Sequence, residues 1–379
     1  MKYDYIIAGA GCAGLSLLYR ILKNPVLCNK HILLIDKDPK NDNDRTFCFW
    51  EKENGLFQEI VRHEWRTLEF KTEHFVNRFD LLAYKYKMIR GIDFYRYVLN
   101  VAGEFKNVNI LQDEIAHIDV QQKKVILQTT NTTFYADYLF NSTGLMNPKL
   151  SSEDTLLQHF LGWEIKIDPP KFNQFVGTLM DFSIDQKHGT TFMYMLPVSE
   201  DTALVEYTLF TEKLLPKAAY RLALSKYIKE VIQIQNYEIL HEEFGIIPMS
   251  LQKFPAHFKQ KVIHIGTAGG HTKASSGYTF QFVQKYTEKI VERLALNKSP
   301  LVPMTLRDKV FQWYDRTMLE VIISNKMAGK DIFSLMFKKL APEKILKFLD
   351  NESTFLEDLS IMSSLPTGRF MQAGIKQLL

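Results

Sequence analysis

Three glycines near the start of the chain have the spacing of a nucleotide-binding turn. Gly9, Gly11 and Gly14 follow the short apolar segment Tyr3 to Ala8 and stand at the start of an apolar helical pattern. This spacing allows a tight turn, an approach of backbone to pyrophosphate, and close packing of helix on strand. Asp36 ends a second apolar segment 22 residues after Gly14, where a carboxylate accepts hydrogen bonds from ribose hydroxyls. The pattern predicts a dinucleotide site with the phosphates at a helix N-terminus.

A second glycine-rich stretch runs from Ile265 to Phe280 and reads IGTAGGHTKASSGYTF. It follows an apolar strand pattern and precedes a helical pattern from about Tyr278 to Leu296. The stretch resembles the C-terminal flavin motif of FAD-dependent hydroxylase-like proteins, which implies that the dinucleotide is FAD. Many such proteins carry Asp after the first glycine, where Thr267 stands here, and this leaves the ribityl contact open. The resemblance makes five residues candidates for cofactor binding: Gly266, Thr267, Ala268, Gly269 and Gly270.

One carboxyl group interrupts an otherwise apolar strand pattern. Glu206 stands in the segment Leu204 to Leu209, and Leu204, Glu206 and Thr208 share one face of that strand. If the face is buried, the pKa of the carboxyl rises and the group can act as an acid near neutral pH. If the face is exposed, Glu206 is an ordinary solvated glutamate. The strand pattern alone does not choose between the two.

Two further places carry charged residues with open roles. Of Glu242 and Glu243, one lines a pocket, or both stand at the solvated end of a strand. Arg45 either contacts the flavin, which makes it a further candidate for cofactor binding, or forms a structural ion pair with Asp44.

The elements that must position these residues predict an α/β fold. It consists of a Rossmann-type FAD-binding domain, of the hydroxylase and glutathione-reductase type, with an inserted β-rich domain and C-terminal helices. We expect four parts: residues 1–80 with 260–300 as a discontinuous FAD-binding domain, 105–145 as a small β meander associated with it, 150–258 as the β-rich substrate domain, and 303–379 as a helical region. The periodicity of Asp80 to Val101 predicts a helix between the first two parts.

The composition excludes several classes of protein. Of 379 residues, 46% are hydrophobic and 24% charged, which is typical of a globular protein, and the net charge of +4 does not favour nucleic acid as a partner. The three cysteines show no CxxC spacing, so we expect a reducing compartment, no disulfides and no metal site. A strand pattern at the N-terminus leaves no room for an export signal, and no apolar run of about 18 residues occurs. We therefore expect a cytoplasmic protein.

A lysine-rich segment near the C-terminus bears on membrane contact. Asn325 to Leu349 contains six lysines and two acidic residues, and Phe333, Met336, Phe337 and Leu340 share one helical face within it. This face either packs into the core or lies on anionic lipid. The second interpretation predicts a peripheral location on the inner face of the membrane, where a dissolved substrate can enter.

Motifs over nearly the whole chain make it similar to the lycopene cyclases. DRTFCFWE, from Asp44 to Glu51, resembles that family's DRTWCFW signature, with Phe47 in place of Trp. The other motifs follow in the family's order: GWEI (Gly162 to Ile165), MDF (Met180 to Phe182), FMYMLP (Phe192 to Pro197), ALVEYT (Ala203 to Thr208), EFGIIPM (Glu243 to Met249) and FLDNESTFLEDLSIMSSLP near the C-terminus.

The resemblance implies a redox-neutral cyclisation of the end groups of an acyclic, lycopene-like carotenoid. An acid protonates the terminal double bond, a neighbouring double bond attacks the cation, and loss of a proton leaves a cyclohexene ring. Reduced FAD is required but not consumed, and NAD(P)H is a candidate reductant. Glu206, in an E-x-T arrangement like the family's catalytic motif, is the implied acid. The rings of Trp163, Phe192 and Tyr194 offer either cation–π stabilisation or packing.

Three alternatives share some of these features. A flavin monooxygenase has the same glycine motifs but consumes NAD(P)H and oxygen, and a flavin-dependent reductase of isoprenoid double bonds also consumes reductant. A carotenoid carrier keeps a pocket but does not need Glu206. Whether one or both ends are cyclised, which ring isomer forms and whether the chain oligomerises are not readable from the sequence.

Overall fold

The computed structural model describes residues 2–378, which contain eighteen strands and nine α-helices. The strands are β1 (Lys2–Ala8), β2 (Ile32–Asp36), β3 (Thr46–Glu51), β4 (His63–Trp65), β5 (Thr67–Lys71), β6 (Val76–Asp80), β7 (Lys85–Arg90), β8 (Val108–Gln112), β9 (Ile115–Gln121), β10 (Lys124–Thr129), β11 (Thr133–Asn141), β12 (Thr155–Lys166), β13 (Val176–Asp181), β14 (Thr190–Pro197), β15 (Thr202–Thr211), β16 (Glu238–Ser250), β17 (His257–Phe258) and β18 (Val262–His264). The helices are α1 (Cys12–Lys23), α2 (Gly91–Gly103), α3 (Lys217–Lys226), α4 (Phe280–Ala295), α5 (Leu306–Ile323), α6 (Gly329–Lys339), α7 (Pro342–Leu349), α8 (Phe355–Ser364) and α9 (Thr367–Lys376).

A parallel sheet carries the two glycine-rich turns. Its strands lie in the order β18, β11, β1, β2, β8, and each neighbouring pair is parallel. Helices α1 and α4 pack on one face, where residues such as Leu15, Leu18 and Ile290 are buried. Strands β9 and β10 extend the sheet as an antiparallel hairpin beside β11. Because β1 and β18 lie two strands apart, their following turns meet at one edge of the sheet, as expected for a Rossmann-type domain.

A seven-stranded sheet is the second large sheet of the molecule. The order is β16, β12, β15, β14, β13, β5, β6, and all pairs are antiparallel except β13 with β5. One face, here called the outer face, packs against α3 through residues such as Val205 and Leu224. The other, here called the inner face, is covered by the first domain and by the C-terminal helices, and Leu204 and Phe210 belong to the core there. Both faces are therefore buried over the central strands.

A three-stranded sheet in the order β3, β7, β4 connects the two larger sheets. Its residues Trp50, Tyr86 and Met88 are buried in the same core as the inner face. The predicted α/β class, with a Rossmann-type domain, an inserted β-rich part and C-terminal helices, is confirmed by this architecture and by the solved structures described below.

Three local predictions differ from the structure. Asp80 to Val101 does not form one helix, because Lys85–Arg90 is the central strand of the three-stranded sheet and α2 begins at Gly91. Tyr84, Tyr86 and Met88 alternate toward the core, a period of two that the longer helical pattern obscured. Strands β5 and β6 lie within residues 1–80 but pair with the seven-stranded sheet, so this part of the predicted nucleotide domain belongs to the second sheet. Strands β8 and β11, in the predicted meander, belong to the parallel sheet itself.

The helical face predicted to lie on lipid is part of the core. Phe333, Met336 and Phe337 are buried, and the Phe337 ring stacks on Phe70 of β5 with 4.4 Å between centroids. The core interpretation is confirmed and the lipid interpretation of this face is wrong, since burial of the apolar face against β5 uses the surface that lipid would need. Within residues 2–378, no helix has the length and apolar composition required to cross a membrane.

Candidate active site

One cavity of about 660 Å³ connects the glycine-rich turns to the inner face of the seven-stranded sheet. At the first end it is lined by Gly9, Gly11 and Asp36 from the β1 and β2 edge and by Gly266 and Thr267 from the second cluster. At the other end it is lined by side chains of β12, β14, β15 and β16. A nucleotide and a second molecule therefore have access to one continuous space.

The three glycines of the first turn have different surroundings. A Cβ at Gly14 would lie 1.9 Å from the Gly9 carbonyl oxygen, so only glycine allows α1 to pack against the turn. A Cβ at Gly11 would meet no protein atom within 4 Å and would enter the cavity. Gly14 thus permits the turn, and Gly11 leaves open space in the cavity; its role in pyrophosphate binding stays a prediction.

The five candidate residues of the second glycine-rich stretch also have different surroundings. Gly266 and Thr267 line the cavity, whereas Ala268, Gly269 and Gly270 form the turn behind them. A Cβ at Gly269 would lie 2.4 Å from the His264 carbonyl oxygen, so this glycine is required for the turn itself. The role of all five residues in cofactor binding remains a prediction, and the structure brings two of them to the cavity surface.

Asp36 and Arg45 hold hydrogen bonds within the protein. Asp36 accepts from the backbone N–H of Ala10 at 2.6 Å and of Asp38 at 2.9 Å, and it still lines the cavity. Arg45 donates from Nη1 to the Phe244 carbonyl of β16 at 3.1 Å. Arg45 also donates to the backbone carbonyl of Asp44 at 3.3 Å, while the Asp44 carboxylate accepts from the Tyr95 hydroxyl at 2.6 Å.

Two buried polar atoms at the cavity, without a hydrogen-bond partner in the described part of the chain, bear on its fit to a flavin. Gln158 Oε1 and Ser276 Oγ are buried and have no hydrogen-bond partner within residues 2–378. Both side chains line the cavity between the glycine turns and the sheet. Since buried polar groups are almost always hydrogen-bonded, these two atoms fit a polar ligand such as a flavin ring edge. The residues present therefore fit FAD.

Four residues in register form a row across the inner face of the sheet. Gly162 of β12 is paired with Glu206 of β15 on one side and with Glu243 of β16 on the other. Tyr194 of β14 is paired with Glu206 and continues the row. Residues directly opposite in neighbouring strands point to the same face. The side chains of Glu243, Glu206 and Tyr194 accordingly all line the cavity.

Glu206 stands on a buried face, so the solvated interpretation of this residue is wrong. Its exposed fraction is 9%, and Leu204 and Thr208 on the same face are also buried. The Thr208 hydroxyl donates to Glu206 Oε1 at 2.7 Å. Burial, together with the nearby charge of Glu243, raises the pKa of Glu206 to about 8. The carboxyl group is therefore mostly protonated at neutral pH.

Glu243 is the second buried carboxyl of the row, with an exposed fraction of 4%. The Thr46 hydroxyl, from the DRTFCFW segment, donates to Glu243 Oε2 at 2.6 Å. Burial raises the pKa of Glu243, while Thr46, His241 and Arg45 act in the opposite direction. Of the two neighbouring glutamates whose roles were open, Glu243 is thus the one that lines the cavity.

Glu242 and Trp163 belong to the other face of the sheet. Glu242 accepts from Arg221 at 2.6 Å and from the Trp163 indole at 2.8 Å. Trp163 is part of the core between the sheet and α3 and cannot face a substrate in the cavity. Of the three aromatic residues considered for cation–π stabilisation, Tyr194 lines the cavity and Phe192 packs beneath it.

Two glycines, Gly162 of β12 and Gly245 of β16, lie on the inner face of the sheet. A Cβ at Gly162 would lie 3.2 Å from both Glu243 Cγ and Leu204 Cδ1, so glycine allows the side chains of Glu243 and Leu204 to pack closely over β12. Gly245 is paired with Phe160 in the neighbouring row. A Cβ at Gly245 would lie 2.2 Å from the Phe160 ring, which packs over the glycine. Thr46, Gly162 and Gln158 were not predicted as site residues; the family-like motifs around the first two were the available signal.

The solved structures with similar folds define the class first. A geranylgeranyl bacteriochlorophyll reductase-like protein from Thermoplasma acidophilum aligns with a TM-score of 0.67 at 10% identity, over 98% of each chain. A flavoprotein/dehydrogenase from Cytophaga hutchinsonii aligns with a TM-score of 0.63 at 11% identity, over 100% of this chain and 99% of that one. The chain therefore has the fold of the FAD-dependent oxidoreductases.

The sequence comparisons define the family. The profile described as lycopene cyclase protein matches residues 4–374, and the chain belongs to this family. A lycopene beta-cyclase from Pseudescherichia vulneris is 23% identical over 321 residues, 82% of this chain and 79% of its own length. One from Pantoea ananas is 24% identical over 298 residues, 76% of this chain and 74% of its own length. The resemblance drawn from the motifs is confirmed.

Proposed function

We propose that this chain is a flavin-dependent lycopene cyclase that forms the ring at the end of an acyclic carotenoid without net redox change. The observation that carries the proposal is a pair of buried carboxyl groups, Glu206 and Glu243, in a cavity whose other end is a dinucleotide turn. A reaction that begins with a proton and forms a cation needs an acid and a site from which water is excluded. The inner face of the sheet offers both.

Glu206 is the acid of the proposed reaction. Its carboxyl group keeps its proton at neutral pH, since its pKa is raised to about 8. It points into the cavity from the middle of the seven-stranded sheet, where strand pairing on both sides limits its movement. The hydroxyl of Thr208 orients the carboxyl through Oε1 and leaves Oε2 for the proton that is transferred. The Tyr194 ring beside it is placed to stabilise positive charge on the substrate.

FAD is the proposed cofactor, held by Gly9, Gly11, Asp36 and the Gly266–Thr267 turn. Reduced FAD, when bound, supplies negative charge beside the developing cation and is not consumed. A Gly11→Val substitution places a side chain where no protein atom now lies, so it should exclude the cofactor and leave the fold intact. Flavin absorbance of the purified proteins and the melting temperature on addition of FAD measure this. Equal flavin content in wild type and variant would contradict the proposed binding mode.

The decisive experiment combines pigment analysis with a count of reducing equivalents. Wild type expressed in a lycopene-accumulating bacterium should convert the acyclic pigment into cyclic carotenoid. In vitro, turnover should require reduced FAD but consume no stoichiometric NAD(P)H, whose role as the reductant that prepares the flavin stays a prediction. Consumption of one NAD(P)H for each ring would instead favour a reductase, the alternative that the fold of the Thermoplasma protein keeps open. Consumption of oxygen as well would favour a monooxygenase.

A membrane location is also proposed, on a different surface from the one predicted by the sequence. Leu306, Phe355, Leu356 and Leu359 are exposed large apolar residues at the start of α5 and on α8. Arg307 holds the two helices together through an ion pair with Asp358. Insertion of such side chains into the lipid boundary suits an enzyme whose polyene substrate is dissolved there, and we expect the cytoplasmic, inner face.

Sedimentation with anionic liposomes tests this surface. The Leu356→Glu variant should bind the liposomes less than wild type does. Leu222→Glu on α3, where Leu222 is similarly exposed, is the control and should bind like wild type. If wild type remains in the supernatant, the protein meets its substrate without a membrane.

A further inference from the structure

The proposed reaction needs a second proton-transfer group. Ring formation takes up one proton at the terminal double bond and releases one from carbon after the ring has closed, so the reaction is balanced without an oxidant or reductant. The acid that has just delivered its proton is one group that can take the released proton. A second group has the advantage that it can already lie beside the ring carbon that releases the proton.

We propose that Glu243 is the base that removes this proton, and that Glu206 and Glu243 form an acid–base pair across Gly162. This assignment rests on the proposed function. The three residues are in register on adjacent strands, with the Cα atoms of the two glutamates two strand spacings apart, roughly 9–10 Å. Gly162 places no side chain of its own between the two glutamates, and both glutamates line the same cavity.

The neighbours of each carboxyl group assign the two roles. Burial raises the pKa of Glu243, but the Thr46 hydroxyl that it accepts, together with His241 and Arg45, acts in the opposite direction and favours its carboxylate form. Asp44 opposes this effect but comes last among the contributions. Glu206 has the Thr208 hydroxyl and, as its charged neighbour, the carboxyl of Glu243. When one proton is shared by the pair, it therefore resides on Glu206, and Glu243 is left as the carboxylate.

The other titratable groups near the row are poor bases. The pKa values of Cys48, Tyr86 and Tyr194 are raised, mainly by burial, so these groups stay protonated and neutral at pH 7. The pKa of Tyr278 is raised for the same main reason. Among the lining residues at the sheet end of the cavity that the structure describes, Glu243 is then the carboxylate available besides Glu206.

The cycle closes within the pair. The O–H bond of Glu206 breaks as a C–H bond forms on the terminal alkene, and the carbon–carbon bond of the ring then forms. A C–H bond of the ring breaks as the O–H bond of Glu243 forms, and its electron pair becomes the ring double bond. The proton returns from Glu243 to Glu206 within the cavity that both residues line, and both groups regain their starting states.

The test uses the flavin-loaded full chain in D₂O and compares Glu243→Gln with Glu206→Gln. Loss of the base should reduce ring formation by at least about 10². Protonation by Glu206 remains possible in Glu243→Gln, so recovered acyclic substrate should carry deuterium at the terminal alkene, and diverted products with a misplaced double bond or an added hydroxyl should accumulate. In Glu206→Gln neither should occur. Glu242→Gln, its sequence neighbour on the outer face, is the matched control.

The pH profile gives a second measurement that a purely structural role would not change. The alkaline limb of activity should move to lower pH in Glu243→Gln, measured on residual turnover or on deuterium uptake, because the charge that helps keep Glu206 protonated is gone. In Thr46→Val, which has nearly the same shape, the acid limb should move to higher pH because the carboxylate of Glu243 loses its donor. This variant also replaces Glu243→Gln if the latter does not fold.

Two results would overturn the assignment. One is Glu243→Gln activity equal to wild type with an unchanged alkaline limb. The other is an inactive, flavin-loaded Glu243→Gln whose recovered substrate carries no deuterium, since Glu243 would then be needed for protonation itself. Failure of the proposed function is distinguishable from both, because wild type would then form no cyclic carotenoid at all.

Discussion

Glu242 and Glu243 are adjacent in the chain and lie in opposite environments. Glu242, on the outer face of the seven-stranded sheet, is paired with Arg221, which lowers the pKa of its carboxyl. Glu243, on the inner face, is buried in the cavity, which raises the pKa of its carboxyl. The side chains of a strand alternate between faces, so a single step along β16 separates a structural ion pair from a group that can transfer protons.

The outer face shows what a sheet needs for stability alone. Glu242 there is satisfied by Arg221 and by the Trp163 indole N–H, and the apolar residues of this face pack on α3. On the inner face, two carboxyl groups and the unpartnered Gln158 are buried at a cost to stability. Such a cost is retained where it serves chemistry, which is why the difference between the faces points to function.

The largest expected effect is on activity in Glu206→Gln. Gln has nearly the shape of Glu but cannot deliver a proton to carbon, so ring formation should fall by about 10⁴ or more, at the upper end for general-acid catalysis. Flavin content should not change. Carotenoid products are measured by chromatography, and Glu242→Gln on the outer face should stay within about twofold of wild type. Comparable activity of Glu206→Gln and wild type would remove the distinction between the faces.

The same variant should become more stable than wild type at alkaline pH. An unfolded glutamate releases its proton near pH 4.3, roughly, whereas folded Glu206 keeps it up to about pH 8. The wild-type chain therefore loses stability as pH rises through this interval, and Gln has no proton to lose. The free energy of unfolding of Glu206→Gln, measured in denaturant at pH 5, 7 and 9, should exceed that of wild type by a few kcal/mol at pH 9.

Glu242→Gln provides the opposite sign in that experiment. Its pKa is lowered in the folded state, so its contribution to stability is present above the unfolded pKa and is lost as pH falls. The effect should be small because the ion pair is close to solvent. A gain for Glu206→Gln that does not depend on pH would show that Glu206 is not buried in its protonated form.

Two glycine substitutions separate packing from chemistry on the inner face. Gly245→Ala forces the Phe160 ring away and should cost about 1–3 kcal/mol of unfolding free energy. Gly162→Ala needs a shift of only a few tenths of an ångström, but the atoms that must shift belong to Glu243 and to Leu204 beside Glu206. Its stability should change by less than about 1 kcal/mol while ring formation falls roughly tenfold. Parallel losses of stability and activity in both variants would contradict a functional role for Gly162.

The smallest effect is expected on the outer face in Trp163→Phe. The substitution removes the hydrogen bond to Glu242 and should cost about 1 kcal/mol in denaturant unfolding. Cyclisation should stay within about twofold, because Trp163 lies behind the sheet. A tenfold loss of activity with an unchanged flavin content would show that the outer face contributes to the reaction.

Much of the first domain was predictable from the sequence because its determinants are local. Gly9, Gly11 and Gly14 follow a strand and begin a helix within one short segment, and the turn chemistry is encoded there. The family was predictable from the same kind of contiguous motif. The helix predicted for Asp80 to Val101 was wrong because β7 is formed through pairing with β3 and β4, partners that no local pattern reveals.

By itself the sequence determined the glycine turns, the strand that carries Glu206, the face that this residue shares with Leu204 and Thr208, and the family. Only the tertiary structure decided that this face is buried, that Glu243 rather than Glu242 joins it, and that the apolar face of α6 packs into the core. The physical reason is that burial and strand register are set by partners far away in the chain. Thr46 and Glu243 are 197 residues apart in the chain, so no local sequence pattern could predict the hydrogen bond between them.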